Sequence, residues 1–317
     1  MATLRTVEPA NLRVVAGGLR FPEGPIAMQD GSVLLVEIAA GTLTRVGQDG
    51  TATVVAECGG GPNGAAMGPD GGVYVCNNGG CFDWQERFGL TMPGSPPPPG
   101  WPGHGSLQRV DLGTGEVTTL LTESGGHPLR APNDLVLDGD GGIWFTDHGV
   151  RDERTSDRTG FHWCRPDGSE AREVVFPLDA PNGIGLSPGG DRVYVAETHT
   201  GRVWGWDVAG PGEVTGTGLM GPGDGDLVGD PGGGALFDSL AVDGDGWICV
   251  ATLGAGPGIT AFSPDGGQVD HTPLPDPLTT NICFGPDGRT AFATLSGTGR
   301  LVAFDWPRPG GRLAFTA

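Results

Sequence analysis

Phe21-Pro22-Glu23-Gly24-Pro25, Gly61-Pro62-Asn63-Gly64, Ala131-Pro132-Asn133-Asp134 and Ala180-Pro181-Asn182-Gly183 are four versions of one phrase. Each brings in a polar residue and continues as a short apolar run. Each then turns through a Gly/Asp-rich cluster such as Pro69-Asp70-Gly71-Gly72 and returns as a second run ending at Glu37, Asn77, Asp147 or Glu197. Two looser copies follow, Leu236-Phe237-Asp238-Ser239 running to Ala251-Thr252 and Thr279-Thr280-Asn281-Ile282 running to Thr294-Leu295. From Glu23 to Glu37, Asn63 to Asn77, Asn133 to Asp147 and Asp238 to Thr252 the separation is 14 residues, and Asn182 to Glu197 is one longer. Constant spacing around a turn of this chemistry describes a β-hairpin repeated six times.

A third short strand follows most hairpins, as in Thr42 to Val46, Leu107 to Val110, Arg202 to Trp206 and Arg300 to Phe304, and a weaker fourth stretch closes each unit. Units of about four antiparallel strands at a period near ~45 residues are propeller blades. A β-sandwich has no reason to repeat one hairpin six times. The expected fold is therefore all-β, a closed six-bladed propeller forming a single domain over residues 1–317. The strand around Leu12-Arg13-Val14-Val15 is expected to join the last blade beside Arg300 to Phe304, because closing the ring removes exposed sheet edges. A Pro-rich insertion at about 81–105, containing Pro96-Pro97-Pro98-Pro99, interrupts blade two. It leaves from the channel mouth and is expected to form a wall or lid carrying Trp84 or Trp101.

Gly at 61 and Pro at 28 of 317 residues would suggest disorder in an unpatterned chain, but here they fall in the turns between strand-like runs such as Val33-Leu34-Leu35-Val36. A net charge of −20 opposes binding to nucleic acid or to anionic membrane. The chain contains no lysine and only two tyrosines, Tyr74 and Tyr194, which excludes protein Schiff-base chemistry and leaves carboxylates, histidines and a metal as candidates. Met1-Ala2-Thr3-Leu4-Arg5 opens without an apolar signal core, so the expected location is cytoplasmic and the six cysteines default to thiols. They lack zinc-site spacing.

In a propeller the first strand of every blade lines the channel. Glu23, Asn63, Asn133, Asn182, Asp238 and Asn281 should therefore form one ring at one mouth, with Glu37, Asn77, Asp147, His148, Glu197 and His199 around it. Asn after Pro is often only turn chemistry. Glu23 and Asp238 resist that reading, because carboxylates facing a narrow channel repel one another unless a cation lies between them. Two carboxylates with amide oxygens make a hard-oxygen set suited to one divalent ion, Ca²⁺ first, with Mg²⁺, Mn²⁺ or Zn²⁺ as alternatives.

The ordered set Phe21-Pro22-Glu23-Gly24-Pro25, Pro132-Asn133-Asp134-Leu135, Phe145-Thr146-Asp147, Pro181-Asn182-Gly183, the Asp238 segment and Thr279 to Gly285 resembles the SMP-30/gluconolactonase/LRE-like family over about Leu19 to Pro307. The resemblance implies a six-bladed hydrolase with one catalytic divalent metal. By motif position it implies Glu23, Asn182 and Asp238 as ligands and Asn133 as a ligand or substrate contact. Phe237-Asp238-Ser239 stands where many relatives have Pro-Asp-Gly, and His148 stands where they often have Pro. The expected function is a metal-dependent lactonase acting on a small-molecule substrate. Glu23 and Asp238 are its catalytic carboxylates, Asp238 is the preferred general base, and Asn133, Arg130, His148 and Trp101 are substrate contacts. The alternatives are a phosphotriesterase on the same site, a non-catalytic propeller scaffold, and a metal-free strictosidine-synthase-like propeller, which the pair Glu23 and Asp238 disfavours.

Overall fold

The computed structural model describes residues 4–315. Six sheets, four of them four-stranded and two five-stranded, follow one another, and their inner strands meet in a closed cycle. Those inner strands are Pro22–Ala27, Pro62–Met67, Pro132–Leu137, Pro181–Leu186, Leu236–Val242 and Thr279–Phe284, which open blades one to six. The expected six-bladed propeller is the observed fold. Among the described residues no helix is long and apolar enough to cross a membrane.

The core is six wedges, one between each pair of neighbouring blades. In blade one Val33 and Leu35 pack toward blade six with Leu301, while Leu34 and Val36 pack toward blade two with Val73 and Val75. Blade four splits in the same way, with Val193 and Val195 facing blade three and Tyr194 and Ala196 facing blade five. Successive residues of a strand point to opposite faces, and here both faces are buried. The second strands therefore read as continuous apolar runs rather than alternating ones. Phe145, Phe161, Trp206, Phe237 and Phe262 fill the wedges completely.

Closure is made by the N-terminal strand Ala10–Gly17, which pairs antiparallel with Arg300–Asp305 in the register Arg13 to Ala303 and Val14 to Val302. Blade six is thus built from both ends of the chain. Leu4–Thr6 then adds a parallel edge strand to blade five against Val269–Pro273. Arg308 holds the same region, donating to Asp243 at 2.6 Å and Asp270 at 2.9 Å while lying over Trp247 and Trp306. Beyond it, Gly310 bonds to Gly288 in a blade-six turn, and Phe315 packs against the wedges on either side of blade two. The C-terminal tail therefore crosses the far end of the channel.

The insertion is more regular than its proline content suggests. Asp83–Arg87 and Leu90–Gly94 form a two-stranded hairpin inside it. That hairpin docks across the mouth: the Thr91 amide donates to Gly297 O of blade six at 2.9 Å, and Trp84 packs on Phe21 of blade one with ring centres 4.9 Å apart.

Because Ala10–Gly17 covers the last edge of a toroid, removing residues 1–16 should lower the melting temperature by roughly 10 °C, the shift that several kcal/mol produces in a chain of this size. A thermal melt at unchanged temperature would show that blade six stands without it.

Candidate metal and catalytic centre

Each inner strand carries a register irregularity at the point where its polar residue enters the ring. Pairing jumps from Glu23 to Ile26, from Pro62 to Ala65, from Pro132 to Leu135, from Pro181 to Ile184, from Phe237 to Leu240 and from Thr279 to Asn281. Such bulges re-aim a side chain out of the ladder. The glycine that follows serves packing as well as the turn. At Gly24, with φ of +53°, a Cβ would meet Ala65 N at 2.7 Å, and at Gly183 a Cβ would meet Leu240 N at 2.4 Å. Neighbouring inner strands thus approach too closely for any side chain there.

Glu23, Asn63, Asn133, Asn182 and Asn281 are buried and Asp238 is half-buried. Asn281 Nδ2 donates to Glu23 Oε2 at 2.6 Å, joining blades six and one. Asn182 Nδ2 donates to Thr198 Oγ1 at 3.1 Å, and its Oδ1 lies 3.5 Å from Ser239 Oγ. Glu23 Oε1 and Asn133 Oδ1 are buried and have no hydrogen-bond partner. Both atoms are pure acceptors, and a buried acceptor without a donor costs about 1–3 kcal/mol unless something electropositive meets it.

A third carboxylate belongs to the site. Asp134 is buried and accepts from Leu135 N at 2.9 Å and Ile184 N at 3.4 Å, with Ser239 and Leu240 of blade five as further donors. Burial pushes Asp134 up to about 7 and Asp238 likewise to about 7, the latter aided by the charge of Asp134. Burial, then Asp238, then Asp134 hold Glu23 well above the carboxylate range. Asp134 was not among the sequence candidates. Its signal was a carboxylate in the third repeat at the position where Glu23, Asn63 and Asn182 are followed by Gly.

These donors fit a hard divalent cation: two orphaned oxygens, Glu23 Oε1 and Asn133 Oδ1, stand among three mutually repelling carboxylates. Among the described residues no three His, Cys, Asp or Glu side chains form a ready cage, so the set depends on the amides of Asn133 and Asn182.

The outer candidates divide. Glu37, Asn77, Asp147 and Glu197 spend their oxygens on the backbone entering the inner strand of their own blade, through Arg20 N, Gly61 N, Arg130 N with Ala131 N, and Asp179 N. They are brackets that hold the ring strands in place. Arg130 donates to Asp157 Oδ2 at 2.9 Å and to Gly103 O, and its guanidinium lies 4.9 Å from the centre of the Trp101 ring. Trp101 Nε1 in turn donates to Asn78 O at 3.3 Å. Arg130 and Trp101 thus pin the insertion to blades two and three. His148 and His199 meet edge to face with ring centres 5.9 Å apart. They line a cavity of about 300 Å³ beneath the insertion. A larger cavity of about 690 Å³ lies on the far side of the ring, lined mainly by small apolar residues and by the C-terminal tail.

The model of the SMP-30/Gluconolactonase/LRE-like region matches residues 21–297. A gluconolactonase of Zymomonas mobilis is 25% identical over 90% of this chain and 79% of its own. A diisopropyl-fluorophosphatase of Loligo vulgaris is 28% identical over 59% of this chain and 61% of its own. The crystal structure of a calcium-binding regucalcin from Agrobacterium tumefaciens superposes with a TM-score of 0.71 at 18% identity, covering 99% of this chain and 100% of that one.

Without a cation the three ring carboxylates keep protons that the unfolded chain gives up near pH 4. The native state then binds more protons than the unfolded state between about pH 4 and the folded value of about 7, and stability falls as pH rises through that window. The melting temperature of chelator-treated protein should therefore drop from pH 5 to pH 7.5, and stabilisation by added Ca²⁺ should grow over the same range. A calcium shift equal at both pH values would place the ion away from the ring.

Proposed function

The chain belongs to the SMP-30/gluconolactonase/LRE-like family, and from that premise we propose that it is a lactonase-type hydrolase working with one divalent cation in its ring. The observation that carries the reading is the pair of orphaned acceptors, Glu23 Oε1 and Asn133 Oδ1, buried beside carboxylates that burial and mutual repulsion push toward neutrality. Glu23, Asn133, Asn182 and Asp238 are the proposed ligands. Calcium is the favoured ion, since the donors are all oxygen and a fold relative is described as calcium-binding. When bound, such an ion polarises an ester carbonyl and stabilises the charge that develops on its oxygen.

The residues divide the remaining work by exposure. Glu23 is fixed by Asn281 and has no access to solvent, so it holds position and charge. Asp134 is tied to backbone amides of blades three, four and five and keeps Asn133 and Asn182 in register. Asp238 alone among the three carboxylates is only half-buried, which makes it the one best placed to meet an attacking water. It is the proposed general base, taking the proton of the attacking water. The same proton then passes to the ring oxygen as its C–O bond breaks, and the ring-opened product leaves as a hydroxy acid.

A phosphotriester is the second reading, favoured by the 28% identity to a fluorophosphatase across 199 residues. The same polarised oxygen and the same base serve a phosphoryl centre.

A lactone and phosphotriester panel with and without chelator, together with metal analysis of the untagged protein, tests the proposal. Asp238→Asn should lower kcat about 10²–10⁴-fold, the usual range for loss of a general base, with the fold kept. Glu23→Gln should chiefly weaken metal binding, read by calorimetric titration. Full activity in both variants would remove the ring from the chemistry.

A further inference from the structure

Between the insertion and the outer loops of blades three and four lies a chamber of about 300 Å³. It opens at the mouth that holds the ring. His148 follows the strand Ile143–Asp147, and His199 follows Thr198, whose hydroxyl is bonded by Asn182. The insertion contributes Phe82 and Pro93 to the lining, and blade three contributes Val150.

The polar groups inside are few and uncharged. Burial holds the His148 imidazole below its usual range, and a half-enclosed position beside His148 and Arg151 pushes His199 down to about 4. His148 Nδ1 is already spent on Gly149 O at 3.1 Å. At the exposed rim Arg151, Asp152 and Glu153 are followed by Arg154, so charges of the two signs balance there. An anionic group gains nothing by entering there. Away from the charged rim only Ser95, His148 and His199 can bond a hydroxyl, too few partners for a polyol chain, and each hydroxyl buried without a partner is costly. Arg130, the guanidinium closest in sequence to the ring residue Asn133, is engaged by Asp157, Gly103 and Trp101.

We propose that this chamber receives an uncharged apolar limb of the substrate, so that the ester opened at the ring carries an alkyl or aryl substituent rather than a chain of hydroxyls. The inference rests on reading the ring as a hydrolytic site. It assigns Phe82, Pro93 and Val150 to substrate selection, with the insertion hairpin as one wall. The discrimination is one of burial. Roughly tenfold in affinity follows from each pair of methylenes taken out of water, until the chamber is full.

The test has a binding arm and a turnover arm. In the binding arm, calorimetry on calcium-loaded protein compares δ-valerolactam, its hexyl-substituted derivative and gluconolactam, none of which the enzyme consumes. The hexyl compound should bind at least tenfold more tightly than the parent and more tightly than gluconolactam. Phe82→Ser and Val150→Thr, each confirmed folded by its thermal melt, should shrink that ratio several-fold. In the turnover arm, kcat/KM for the matching lactones should follow the same order. Binding that is indifferent to the chain, or tightest for gluconolactam, overturns the proposal. Hydrolysis of the unsubstituted lactone with no gain from the chain also overturns it while leaving the hydrolytic reading intact. A chain-dependent gain in binding with no lactone turned over upholds the chamber and removes that reading.

Discussion

Like charges confined out of water are the constraint from which the rest of this propeller follows. Glu23, Asp134 and Asp238 approach one another in a channel that strips away their solvent, and in such surroundings they remain ionised only beside a cation. Holding them there requires a rigid frame. The frame is supplied by wedge-shaped cores that lock each blade against the next, and by bulges that turn one residue per inner strand toward the axis. Glycine at 24 and 183 lets adjacent backbones close to contact distance. The acidic and amide side chains at the ends of the second strands fasten the entering loops, so the ring rests on a second layer of hydrogen bonds.

The blades were legible because hairpin length is a geometric quantity that survives large changes in composition. The 14-residue spacing marked the fifth hairpin even where Phe237-Asp238-Ser239 had lost the Pro-Asn-Gly phrase, and the polar residue opening an apolar run marked the sixth at Asn281. N-terminal closure was legible for a related reason: a toroid has a last edge, and only a strand from outside the repeat can cover it. Asp134 was harder to see. Next to Asn133 it reads as turn chemistry, and only the convergence of amides from blades four and five distinguishes it. The insertion hairpin was obscured because Asp83-Trp84-Gln85-Glu86-Arg87 has no buried face and so no alternation to detect. The pairing of Arg130 with Trp101 joins the returning segment of the insertion to the loop that enters blade three. No local pattern announces such a contact.

Blade symmetry is broken at the mouth, and specificity can arise there. The connection from second to third strand at this end is four residues long in blades one, four, five and six and eleven in blade three, whereas that of blade two carries a hairpin that reaches Gly297 of blade six and the Phe21 ring of blade one. The insertion covers one side of the opening and leaves the other bounded by the loops of blades three and four. The chemistry of the ring is shared by the scaffold, while the shape of the opening belongs to this chain. On the proposed reading, selection among esters and catalysis of their opening are carried by different parts of the sequence, and one can change without disturbing the other.

The C-terminal tail, pinned at Gly288 and ending with Phe315 against blade two, lies across the opposite end of the channel. The cavity behind it reaches Asp134 and Asn281, so enclosed space borders the ring on that side, while the insertion borders the mouth. On the proposed hydrolytic reading, product that leaves beneath the insertion vacates the same opening that the next substrate enters. Slow exit would then restrain turnover with no separate regulatory site.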